Sequence, residues 1–113
     1  MMLDMVKERR GIETIVSFRG SLFTETAGEA QAYLDEVLAA GARRLLLDFE
    51  QLDFMSSAGL RILLGTAKAL AGAGGELRIC SLDRTVREVF KMSGFDTLLS
   101  VYESRSAALR DWA

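Results

Sequence analysis

The uninterrupted apolar run Leu45-Leu46-Leu47, inside the stretch Arg43–Phe49, constrains this chain more than any other feature. Three adjacent leucines leave no polar face, so the run reads as a central β-strand covered on both sides. A short acidic turn follows, then two serines, Ser56 and Ser57, at the mouth of a helix. In that helix Leu60, Leu63, Leu64, Ala67 and Ala71 form an apolar stripe, with Arg61, Gly65, Lys68 and Gly72 on the opposite side. A buried strand leading into an amphipathic helix is a unit of a layered α/β protein.

The remaining pattern fits that class. Leu3–Glu8 and Ile12–Gly20 read as strands joined by a turn at Arg10-Gly11, the second with an imperfect period of two. A helix starts around Thr24–Glu29, capped by Thr26, which has capping-box spacing to Glu29, or by Thr24. It places Ala27, Ala30, Leu34, Val37 and Leu38 on one face and ends near Gly41. Gly74-Gly75 closes the serine-led helix and leads to a strand, Glu76–Cys80. A helix over Asp83–Met92 gathers Val86, Val89 and Phe90 and stops at Ser93-Gly94. A strand, Leu98–Tyr102, precedes a terminal helix from Ser104, with Leu109 and Trp112 on its apolar side. The order ββαβαβαβα predicts an α/β sandwich with a mostly parallel sheet of about five strands and four helices.

At 113 residues the chain suits one domain, 1–113, with enough core to need no staples. Fourteen basic against 16 acidic residues, without a basic stripe, argue against nucleic acid as a partner. There is one cysteine and no histidine, which excludes a disulfide framework and histidine-based metal or triad chemistry. Cys80 reads as a small buried hydrophobe. The charged N-terminal stretch is unlike a signal peptide, and no apolar run is long enough to span a bilayer, so no membrane association and a cytoplasmic location are expected.

The serines at the helix mouth have two readings. The commoner role for Ser before an apolar-periodic run is to cap the helix. The other is a charge switch, because the free N–H groups and positive dipole end of a helix tolerate a phosphate. Enzymatic readings fail on geometry. Gly72-Ala73-Gly74-Gly75 lacks the spacing and lysine of a P-loop. A Ser57–Lys68 pair would be separated by about 16 Å along one helix. No catalytic residue, metal site or cofactor is expected.

The order of elements and the stretch Leu45–Arg61 resemble the STAS domain of anti-sigma factor antagonists and sulfate-transporter tails. Phe18-Arg19-Gly20-Ser21-Leu22 before Thr26-Ala27, and Val89-Phe90-Lys91-Met92-Ser93-Gly94-Phe95, are similar to further family segments. The resemblance implies that the serine two positions before the Gly-Leu pair, Ser57, is phosphorylated by a partner kinase, with Ser56 the second choice. That kinase is itself the anti-sigma factor, which unphosphorylated antagonists bind, and a PP2C-type phosphatase resets the switch. It further implies a partner surface of Phe23, Thr24, Ser56, Ser57, Ala58, Gly59 and Arg61, on a monomer or weak dimer.

Two positions depart from the family pattern. Ser56 stands where many antagonists carry an aspartate, and Phe23 occupies a loop position that is commonly aspartate. Phe23 reads either as a hydrophobic staple or partly buried loop residue, or as an apolar contact for a partner. The chain is therefore expected to be a partner-switching regulator and not an enzyme. The alternative is a STAS-type scaffold or sensor subunit without a sigma-factor output. Nucleotide or lipid binding has no support of its own in the sequence.

Overall fold

The computed structural model describes residues 3–112. Strands β1 (Leu3–Arg10) and β2 (Glu13–Leu22) form an antiparallel hairpin. There follow α1 (Thr24–Ala39), β3 (Arg44–Met55), α2 (Ser57–Gly72), β4 (Glu76–Cys80), α3 (Arg84–Ser93), β5 (Ser100–Tyr102) and α4 (Arg105–Leu109). The sheet order is β1-β2-β3-β4-β5, with β2 through β5 mutually parallel.

This order has a geometric consequence. Each parallel crossover steps one strand further in the same direction, and right-handed crossovers then put all their helices on one face of the sheet. Residues of α1, α2 and α3 accordingly share one apolar cluster with Val16, Phe18, Leu45, Leu47, Phe49, Leu77 and Ile79. Alternate strand residues point the other way. Ile15, Leu46 and Cys80 meet Ala108 and Trp112 of the C-terminal segment in a separate small cluster. The triple leucine is covered on both sides, as its composition requires.

Several boundaries differ from the sequence reading. The supposed acidic turn is strand: β3 continues to Met55 beside β2. Its register slips twice, between the pairs Ser17–Asp48 and Arg19–Gln51, and between Gly20–Leu52 and Ser21–Phe54. Each bulge puts an extra residue into β3 and breaks the period of two. Two exposed pairs result, Glu50-Gln51 between the buried Phe49 and Leu52, and Asp53-Phe54 between Leu52 and the buried Met55. The hairpin turn falls at Gly11-Ile12, leaving Ile12 exposed. In α2 the inner face holds Leu60, Ile62, Leu63, Thr66 and Leu70, with Leu64 and Ala67 partly buried, while Ala71 is exposed. Thr66 satisfies its hydroxyl by donating to the Ile62 carbonyl at 2.9 Å. Strand β5 starts only at Ser100, because residues Phe95–Thr97 form a 3-10 turn. Helix α4 ends at Leu109, so Trp112 packs from beyond it.

Helix α3 stops at Ser93-Gly94 as expected, and Asp83 caps its start. The Asp83 carboxylate accepts from the Val86 N–H at 2.9 Å, and Gly94 takes the left-handed conformation (φ 79°) that closes the helix.

Candidate functional site

Strands β2 and β3 end side by side, with Leu22 opposite Met55. The Ser56 N–H donates to the Leu22 carbonyl at 3.0 Å, tying the start of α2 to the end of β2. This brings Phe23 and Thr24, where β2 gives way to α1, to the same rim as the two serines, beyond the carboxyl ends of the strands. Close approach at this corner requires a glycine. A Cβ on Gly59 would lie 2.8 Å from Leu22 Cγ and 3.0 Å from Met55 Cγ. Gly59 thus lets the first turn of α2 pack onto the strand ends.

The two serines occupy different environments. Ser56 is the N-cap, yet its side chain makes no capping hydrogen bond. Its hydroxyl oxygen is buried and without a hydrogen-bond partner. Ser57, the first helical residue, is exposed. Capping by a serine side chain is therefore not realised at α2, and the amide groups of its first turn lack that acceptor. Arg61 lies four residues on, one turn along the same face as Ser57. It is exposed and belongs to no ion pair among the described residues. Ala58 is half-buried and Thr24 exposed at the first position of α1.

Helix α1 is capped differently from either sequence reading. Phe23 is its N-cap, so neither Thr24 nor Thr26 takes that place. Thr26 sits at the third helical position, where its hydroxyl oxygen accepts from the Phe23 N–H at 3.1 Å and donates to the Ser21 carbonyl at 2.8 Å. Thr26 does from within the helix what the glutamate of a capping box ordinarily does. Phe23 is half-buried, and its ring meets Phe54 edge-on with 6.4 Å between centroids. A hydrophobic staple needs its residue one place earlier, before the N-cap. Of the two bland readings, a partly buried loop residue is the one observed.

Phe54, 44% exposed, is a rim residue that the sequence reading missed. The β3 bulge turns it outward beside Asp53; strict alternation from Leu52 would have buried it. The available signal was an aromatic residue two places before Ser56, in a stretch read as a turn.

Away from the rim, burial pushes the Cys80 thiol up to about 11, an unreactive state. Among the described residues, no three acidic, cysteine or histidine side chains are grouped to hold a metal ion. No helix among the described residues is long and apolar enough to cross a membrane.

The family model of the STAS domain matches residues 5–108. The chain belongs to the STAS domain family. A protein of Bordetella bronchiseptica provisionally named anti-sigma factor antagonist BtrV is 43% identical over 94 residues, covering 83% of this chain and 81% of its own. Among solved STAS-like structures, an anti-sigma factor antagonist from Mycobacterium paratuberculosis superposes with a TM-score of 0.89 at 23% identity, covering 96% of this chain and 92% of that one. The Bacillus cell-fate determinant SpoIIAA in its phosphorylated form has the same fold, with a TM-score of 0.70 at 23% identity and coverage of 95% and 98%.

Proposed function

We propose that this STAS protein is an anti-sigma factor antagonist that binds an anti-sigma factor with serine-kinase activity and is switched by phosphorylation of Ser57. The observation that carries the reading is the contrast between the serines: Ser57 exposed in the first turn of α2, Ser56 with its hydroxyl buried. A kinase needs a hydroxyl it can reach. The name of the Bordetella relative supports the antagonist role, and the phosphorylated SpoIIAA neighbour supports a phosphate on this fold.

The physics of the rim explains how such a switch would work. A phosphate on Ser57 adds about −1.5 to −2 charges. The positive end of α2, free of a side-chain cap, and Arg61 one turn away make that charge tolerable to the fold. A partner packed over the same surface, by contrast, meets a desolvated dianion, with the exposed Asp53 four residues before it in the chain. Binding is lost while the fold stays intact. Phe23 and Phe54 supply apolar contact area on the partner side, in place of the carboxylate common at the Phe23 position. A PP2C-type phosphatase resets the protein.

The test is incubation with ATP and a GHKL-type kinase that binds the protein, followed by mass-spectrometric mapping. Incorporation at Ser57, abolished in Ser57→Ala, is expected, with Ser57→Asp weakening kinase binding. Incorporation at Ser56 alone, or none with a kinase that binds the protein, overturns the assignment.

A further inference from the structure

The second face of the sheet carries a feature that the switch does not use. The C-terminal segment 104–112 crosses it, held by side-chain contacts more than by apolar burial. Arg105 donates to Asp48 Oδ2 at 2.9 and 3.1 Å, to Glu8 Oε1 at 3.3 Å and to Ser17 Oγ at 3.2 Å. Beside this hub lies an open hollow of about 450 Å³, lined by Arg10, Arg105, Ser106, Leu109 and Arg110. Its lining includes three arginines and no acidic residue. On the other side of Arg105, a hollow of about 440 Å³ has Asp4, Asp48 and Glu50 in its wall against Arg19 and Arg105.

Like charges do not gather without cost, and Arg105 alone of the three is neutralised. Arg10 and Arg110 are exposed and take part in no ion pair among the described residues. They come from opposite ends of the chain: Arg10 closes β1, and Arg110 follows α4. The planar fork of arginine matches tetrahedral oxyanions, and the Ser106 hydroxyl adds a neutral donor.

The geometry points to an oxyanion site here, one that takes a phosphate dianion, free or as the end group of a small phosphomonoester. A bound dianion bridges β1 to the C-terminal segment, so it staples that segment onto the sheet. Leu109 in the wall offers an apolar contact to an organic substituent. The site is independent of Ser57 and of any kinase.

The chain supplies its own reporters. Trp112 is its only tryptophan, and Cys80, its only cysteine, lies buried under the same segment. Inorganic phosphate is titrated into the full-length protein while Trp112 fluorescence and maleimide labelling of Cys80 are followed, against sodium chloride at matched ionic strength. A saturable fluorescence change is expected. For a dissociation constant of about 1 mM, 10 mM phosphate slows labelling about tenfold. Phenyl phosphate binding more tightly than phosphate assigns the site to a phosphomonoester; equal or weaker binding assigns it to the free ion. The Arg10→Ala/Arg110→Ala double variant, its fold checked by melting temperature, loses the effect, whereas Arg84→Ala retains it. Identical curves in phosphate and chloride overturn the site, as does an effect that survives in the double variant.

Discussion

The two faces of the sheet are held by different physics. On one, α1, α2 and α3 bury an extended apolar cluster that includes Phe18, Phe49 and Phe90, with Phe18 and Phe49 packed edge to face at 5.1 Å. On the other, Ile15, Leu46 and Cys80 of the sheet form a five-residue cluster with Ala108 and Trp112 of the C-terminal segment, whose five-residue helix is too short to be stable alone. Directional contacts make up the difference. Arg78 is stacked between the rings of Tyr102 and Trp112, 5.0 and 4.5 Å from their centroids, and donates to the Ala108 carbonyl at 2.7 Å. Trp112 Nε1 donates to Glu76 at 3.1 Å, and Arg44 reaches the Trp112 carbonyl. The helical face tolerates many apolar sequences of suitable volume. The strapped face depends on a few geometries and opens first when they fail.

The largest expected effect lies on the helical face. Phe49→Ala removes a fully buried ring and should destabilise by about 3–5 kcal/mol, read as a lower urea midpoint. A loss of less than about 1 kcal/mol would break the contrast, since the helical core would then be no more demanding than the strap.

Next is the alkaline limb of stability. The Cys80 thiol is raised in the folded protein to about 11 by burial, whereas in the unfolded chain it ionises near about 8.5. Above that lower value the unfolded state has shed its proton and the folded state has not. Stability is therefore full below about pH 8.5 and falls as pH rises towards about 11, by up to about 1.4 kcal/mol per unit. Cys80→Ala should flatten this limb in pH-dependent urea melts. An unchanged slope would place the alkaline loss elsewhere.

On the strapped face, Arg105→Ala leaves Asp48 buried without its cation. Because Arg105 is itself 35% exposed, the expected loss is about 1–2 kcal/mol, below that of a fully buried pair. Cys80 labelling should accelerate by more than the loss of global stability explains, because the strap opens locally. Labelling that tracks global stability alone would make the two faces one cooperative unit.

The smallest effect is expected at the rim. Ser57→Asp should change stability by less than about 0.5 kcal/mol in thermal melts, since the side chain is exposed and the helix start welcomes negative charge. A drop of several degrees would show that the rim is coupled to the core beneath it.

The sequence alone determined the layered α/β class, the strand and helix order, and which faces of α1 and α3 turn inward. Those properties follow from local periodicity: Ala30, Leu34 and Val37, or Val86 and Phe90, recur at the helical repeat whatever surrounds them. The exposure of Ser57 was legible for the same reason, as it stands where the strand period gives way to the helix period. Tertiary structure decided the rest. The two bulges that carry β3 on to Met55 and turn Phe54 outward come from pairing with β2, which no local pattern encodes. Phe23, rather than either threonine, became the N-cap of α1 because Thr26 reaches back to Ser21 and Phe23. The choice between the serines was also tertiary, for burial of the Ser56 hydroxyl depends on how the start of α2 packs against β2. The joining of Arg105 to Glu8, Ser17 and Asp48 had no sequence signal at all: these residues lie up to 97 positions apart and meet only when the last segment folds back across the sheet.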